Sequence, residues 1–196
     1  MNSCTPRTVF ESTHKTIADN VAAWEREFAR KGLQVYRIEN KGKFMNNTTA
    51  EIIIFIGIPA SGKSTFYEQN FAATYVHISL DILHTRNQEN RMLEETLTSG
   101  KSCVIDNTNV TAAERAKYIE AGKRYGYKVI GYYFRSSIDE CRIRNDRRHG
   151  RKQVPEVAMR NKAAHLERPS MQEGFDELYY VKIVDDKFET TQYNEA

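Results

Sequence analysis

One segment carries most of the chemistry in this sequence: Gly57-Ile58-Pro59-Ala60-Ser61-Gly62-Lys63-Ser64. Glycines at this spacing let backbone N–H groups converge on an anion where a larger side chain would block the approach. Lys63 then supplies a point charge for the β- and γ-phosphates of a nucleotide, and the Ser64 hydroxyl a hard oxygen for magnesium. Thr65 either adds a hydroxyl near the α-phosphate or is an ordinary helix residue. The apolar run Ile52-Ile53-Ile54-Phe55-Ile56 lies before the segment and a helical pattern after it. In that context the loop is expected to cradle ATP with Mg2+, through Pro59, Ala60 and Ser61 as well as the glycines.

Acidic and basic residues follow at positions that suit phosphoryl transfer. Asp81 comes just after a second apolar stretch, at the end of the strand where open α/β sheets bind ligands. There it can accept the proton of an attacking hydroxyl, or cap the helix that begins with Ile82-Leu83-His84. Asp106 ends a third apolar stretch and suits a carboxylate that holds magnesium through water. Asn107, Thr108 and Asn109 continue into the loop, able to position substrate or metal waters or simply to form a turn. Arg142, Arg144, Arg147, Arg148, Arg151 and Lys152 form the densest basic segment, interrupted by Asp146. It reads as a lid whose guanidinium forks match phosphate oxygens, against the alternative of a solvated helix face. Arg144 and Arg148 are expected one turn apart on a helix.

The elements that must hold these residues alternate between short apolar strands and helices, the pattern of a parallel sheet with crossover helices. The expected strands are Ile52–Ile56, Tyr75–Ile78, Ser102–Ile105, Lys128–Phe134 and Leu178–Val184. The expected helices are Lys63–Phe71, Gln88–Ser99, Ala112–Tyr125, Ile138–Arg148 and Pro155–Arg168. Gly100 fits a helix C-cap, Thr111-Ala112-Ala113-Glu114 a capping box, and Pro169 a helix stop. Before this lies an appendage, 1–48, with an amphipathic helix over Thr16–Lys31, a strand over Leu33–Ile38 and a linker, Asn46–Thr49; Met45 is an alternative start. The kinase-like body is expected over 49–186 and a tail over 187–196.

Composition narrows the classes further. The 196 residues suit one globular domain and an appendage, and a net charge of +3 does not by itself mark a nucleic-acid binder. The three cysteines, Cys4, Cys103 and Cys141, are odd in number and far apart, which argues against a disulfide framework and for a reducing compartment. No apolar run is long enough to span a bilayer, so a soluble cytoplasmic protein without a membrane partner is expected. The histidines show no spacing that suggests zinc.

The ordered set resembles the 5′-polynucleotide kinase family, the kinase half of polynucleotide kinase/phosphatases. It comprises Gly57–Thr65, Tyr75-Val76-His77-Ile78-Ser79-Leu80-Asp81, Val104-Ile105-Asp106-Asn107-Thr108-Asn109, Arg144-Asn145 with Val154-Pro155, and Glu173-Gly174-Phe175. The resemblance covers about residues 51 to 184. It implies a P-loop kinase fold with about five parallel strands in the order 2-3-1-4-5. It also implies transfer of the γ-phosphate of ATP to a 5′-hydroxyl end of DNA or RNA. By the same resemblance Asp81 is the general base, Lys63 and Ser64 hold phosphates and magnesium, and Arg144 and Arg148 contact the donor phosphates. Two departures stand at the acceptor side: Ser79-Leu80 precede Asp81 where members carry Asn-Arg, and His84 replaces an arginine. Neither a phosphatase nor a ligase motif is present, and no obligate protein partner is evident. A kinase of a small hydroxylated metabolite or nucleoside, and a nucleotide-dependent switch without phosphotransfer, are the competing readings.

Overall fold

The computed structural model describes residues 49–150 and 153–194. The expectations for Thr16–Lys31, Leu33–Ile38, Met45 and most of the linker lie outside the described residues, as do Cys4, Arg151 and Lys152. The chain separates into units Met1–Asn46 and Asn47–Ala196, and the described residues belong to the second.

A six-stranded sheet forms the centre, in the order β2-β3-β1-β4-β5-β6. Its strands are β1 (Glu51–Ile56), β2 (Val76–Ile78), β3 (Cys103–Ile105), β4 (Lys128–Phe134), β5 (Glu177–Val184) and β6 (Lys187–Gln192). The first five pair in parallel in the expected order. The sixth is antiparallel to β5 and falls in the stretch expected to be a tail, so the strand count of about five is corrected to six. Its sequence, Lys-Phe-Glu-Thr-Thr-Gln, has one apolar residue. It pairs because Asp185 and Asp186, both at positive φ, turn the chain back along β5.

The β1 side chains divide between two apolar layers. Ile52, Ile54 and Ile56 join a cluster with Leu93, Leu97, Tyr118 and Ile119 from α3 (Arg86–Thr98) and α4 (Ala112–Arg124). Ile53 and Phe55 point the other way and pack with Phe66 and Tyr67 of α1 (Lys63–Asn70). An unbroken apolar run from Ile52 to Ile56 is what burial on both faces demands. Thr111 and Glu114 make the reciprocal capping box at the start of α4, and Gly100 turns the chain after α3 at φ 70.

A short helix α2 (Leu80–Leu83) follows β2, and the pair α5 (Ile138–Asp146) and α6 (Glu156–Ala164) follows β4. Both members of the pair are shorter than expected. The buried Asn145 side chain accepts from Val154 N–H and donates to its carbonyl, closing a turn that ends α5 before Arg148. After α6, Glu167 N–H bonds Val110 O and its carboxylate accepts from Ala112 N–H, drawing the chain out of the helix ahead of Pro169. No helix among the described residues is long and apolar enough to cross a membrane.

Candidate active site

The loop between β1 and α1 is held from behind by its own backbone and by neighbours. Gly57 N–H donates to Thr108 O at 2.9 Å, and Ile58 N–H to Ser136 Oγ at 3.2 Å. A Cβ on Gly57 would lie 2.9 Å from Ser61 Oγ and 3.1 Å from Phe134 Cβ. Gly62 sits at φ 101, where a side chain is strained, and a Cβ there would come within 3.0 Å of the Phe188 ring. Ile58 and Ala60 pack on Cys141 of α5 and Met159 of α6, which seats the helix pair on the loop itself.

Lys63, 8% exposed, folds back into this cradle. Its Nζ donates to Gly57 O at 2.9 Å, Ile58 O at 2.8 Å and Ser61 Oγ at 3.2 Å. Burial lowers its pKa to about 8 against the attraction of Asp106, with Cys141 and Asp81 also raising it and Arg148 lowering it. Asp81, Asp106 and Arg148, though distant in sequence, thus all lie within electrostatic reach of this one ammonium group.

Ser64 Oγ donates to Asp106 Oδ2 at 2.7 Å, and His77 Nε2 lies 3.1 Å from the same oxygen. Tyr67 stacks on the His77 ring at 3.8 Å, which fixes its orientation. A hydroxyl and a buried carboxylate side by side are hard oxygen donors, and they fit magnesium, which takes one or two protein ligands and completes its shell with water and phosphate. Thr65, on the same helix, is exposed toward the hollow described below.

Asp81 is in the first turn of α2 but is not its cap: Ser79 holds that position and makes no side-chain cap bond. The Asp81 side chain is exposed, with no hydrogen bond or ion pair to a described residue. His84 ends α2 at φ 60, exposed. The two asparagines expected to meet substrate have their amides bonded inside the protein. Asn107 Oδ1 accepts from Leu80 N–H, while its Nδ2 donates to Glu89 and Tyr118; Asn109 Nδ2 donates to Phe55 O. Both therefore shape the loop under the site.

The arginines expected to form a lid differ from one another. Arg144 is half-buried and its Nε donates to Ala60 O at 2.9 Å, so it grips the phosphate loop. Arg148 lies beyond the end of α5, not one helical turn from Arg144 as expected, yet both line a hollow of about 460 Å³ above Gly62 and Thr65. Ile183, Asp186 and Phe188 of the β5–β6 hairpin close its far wall. Sequence reasoning missed these three, as it missed Ser136 and His77: a single apolar residue in a polar strand, or a serine after a strand, carries no periodic signal.

Against known proteins, residues 52–169 match the family model AAA_33, described as AAA domain. The chain is 31% identical over 156 residues, 76% of its length, to the bifunctional polynucleotide phosphatase/kinase of Schizosaccharomyces pombe, and spans 38% of that protein. Among solved structures it is similar to Chaetomium thermophilum Kti12 in complex with ADP-AlF3, at TM-score 0.53 and 18% identity over 69% of this chain and 91% of that one. A sugar kinase from Janibacter sp. HTCC2649 matches at TM-score 0.51 and 15% identity, over 68% of this chain and 85% of that one. At these identities the structural likeness speaks for the fold alone.

Proposed function

The chain belongs to the AAA_33 family of AAA domains, and from that premise we propose an ATP-dependent kinase that phosphorylates the 5′-hydroxyl end of a polynucleotide. The observation that carries the proposal is the placement of Asp81, exposed just after β2 at the end of the sheet that holds the phosphate loop, within electrostatic reach of Lys63. An exposed carboxylate with no hydrogen bond or ion pair to a described residue stands within the field of the lysine that a phosphate loop directs at its anion. A nucleotide switch has no use for that second acid beside Asp106. The name of the fission-yeast relative supports the polynucleotide as acceptor.

In this reading the loop N–H groups and Lys63 bind the donor phosphates, and Arg148 neutralises charge that builds on the γ-phosphoryl group during transfer. Ser64 and Asp106 would hold magnesium, which supplies positive charge beside the phosphate oxygens when bound. Asp81 Oδ takes the proton of the 5′-hydroxyl as its oxygen forms a bond to phosphorus and the bond to the ADP oxygen breaks. The reading assigns ATP to the 460 Å³ hollow, with its base toward Ile183 and Phe188.

Incubation with γ-labelled ATP and a panel of 5′-hydroxyl DNA and RNA oligonucleotides, nucleosides and sugars tests the proposal. Labelled oligonucleotide is the expected result. Label on a sugar or nucleoside alone would make the protein a small-molecule kinase, and no label with ATP still bound would make it a switch. Asp81→Asn should reduce labelling by about 10² to 10⁴-fold while ATP binding persists. Comparable labelling by that variant would remove Asp81 from the mechanism.

A further inference from the structure

Glu89 is a carboxylate with no exposed surface, on α3, eight residues beyond Asp81 and outside every motif in the sequence. Such a group is costly to bury unless every oxygen is satisfied. Here four donors surround it: Tyr118 OH at 2.7 Å and Asn107 Nδ2 at 2.5 Å on Oε1, and Lys117 Nζ at 2.8 Å and Arg86 Nη1 at 2.9 Å on Oε2. Burial alone would raise its pKa, but the hydrogen bonds from Lys117, Tyr118 and Arg86 outweigh it and hold the carboxyl below its ordinary value. The group is therefore an anion, which accepts hydrogen bonds and donates none.

That charge decides which way the Asn107 amide faces. Its NH₂ must point at Glu89, so its oxygen points away, and there it accepts Leu80 N–H at 3.0 Å. Leu80 begins α2, a single turn whose cap residue, Ser79, offers no side-chain bond. One turn of helix is unstable by itself, and its first N–H groups need an acceptor. Asn107 Oδ1 is that acceptor, and Asp81 is the next residue. A reversed amide would set NH₂ against N–H and release the turn.

We infer that Glu89 is a positioning residue for the acceptor base: its charge orients Asn107, which caps α2 and so fixes the turn of backbone that carries Asp81. The inference rests on the reading of Asp81 as the base. The P-loop is anchored through the backbone oxygen of Thr108 and through Ser136, contacts that a reversed Asn107 amide leaves in place, so donor binding should persist without Glu89.

The full chain carrying Glu89→Gln, Asn107→Asp, or both tests this. With Glu89→Gln a neutral amide at position 89 no longer dictates the orientation of Asn107, and Asn107→Asp alone sets two carboxylates together. In the double variant the anion has moved to position 107, where it accepts from Leu80 N–H and from the new amide at position 89. Well below the melting temperature, Glu89→Gln should lower kcat about 10-fold with the Kd for ATP unchanged, and the double variant should recover most of that loss. Hydrogen exchange at the Leu80 amide, read by NMR, should accelerate in Glu89→Gln and slow again in the double variant, whatever acceptor the protein uses. Should Glu89→Gln fail to fold, Tyr118→Phe, which removes the second acceptor of the Asn107 NH₂ and so loosens its orientation, should accelerate Leu80 exchange to a lesser degree, and unchanged exchange there would overturn the inference. Unchanged Leu80 exchange in the folded variant overturns the inference, as does a kcat loss matched by weaker ATP binding or not recovered in the double variant. Label on no polynucleotide, with the Leu80 effect intact, would overturn the proposed substrate and leave the positioning role standing.

Discussion

Lys63 is held in a place where burial and chemistry oppose each other. Two carbonyls and a hydroxyl stand in for phosphate oxygens around its ammonium, but they are dipoles, and burial still lowers its pKa to about 8 from an ordinary 10.5. Between those values the unfolded chain holds a proton that the folded chain has released, so stability rises with pH across that window. Wild type should gain roughly 2 kcal/mol relative to Lys63→Met between about pH 7 and about pH 9.5, measured by urea unfolding. A constant difference would mean that the lysine is better solvated than its surroundings indicate. The same variant should lose transfer altogether while remaining folded, since it removes the charge that the donor phosphates meet. Asp106 differs from Asp81 in that its carboxylate is already engaged by Ser64 and His77, whereas Asp81 has no partner among the described residues. A committed oxygen is suited to hold a metal, and an uncommitted one to take a proton.

The α5–α6 pair turns two arginines of one sequence cluster into different devices. Arg148→Ala should lower turnover with little change in melting temperature, because its guanidinium makes no bond to a described residue that folding would lose. Arg144→Ala should lower turnover and also cost about 1 kcal/mol of stability, since Ala60 O loses its donor in a half-buried setting. Thermal melts beside initial rates separate the two; equal melting of both variants would place Arg144 in the lid alone. A second fastener joins α4 to the loop after α6. Arg115, with no exposed surface, makes a fork with Glu173 at 2.6 and 2.7 Å and donates to the carbonyls of Asn109, Val110 and Glu167. Arg115→Leu leaves the Glu173 carboxylate without its cation and the carbonyls of Asn109 and Glu167 without that donor, Val110 O keeping Glu167 N–H, and should destabilise the protein by about 3 to 5 kcal/mol. A loss below about 1 kcal/mol in chemical denaturation would show that water replaces the fork.

At the scale of the molecule, the sheet places the phosphate loop, Asp81 and Asp106 at one end, where β1, β2 and β3 finish side by side. The α5 segment brings Arg144, Arg147 and Arg148 over that same end, so a modest net charge of +3 conceals a local concentration of cations. Oligonucleotide binding should therefore weaken with salt, with a log–log slope of roughly −0.7 for each phosphate neutralised, whereas a neutral sugar should show almost no slope. A flat salt titration with an oligonucleotide that is nonetheless labelled would mean that the lid does not meet the acceptor strand. The five parallel strands and the phosphate loop were legible in the sequence, because uninterrupted apolar runs and glycine spacing are local properties that burial and backbone geometry impose directly, whereas the strand order followed only from the family resemblance. The capping box at Thr111 and the turn at Gly100 were legible for the same reason. The ends of α5 and α6 were not, because Asn145 and Glu167 stop them with bonds to Val154, and to Val110 and Ala112, partners that no helical periodicity encodes. Nor were β6, the inward-facing amides of Asn107 and Asn109, and the buried charges of Glu89 and Arg115. A polar side chain looks alike in sequence whether it faces water or a partner, and only the packed fold, by excluding water, decides which.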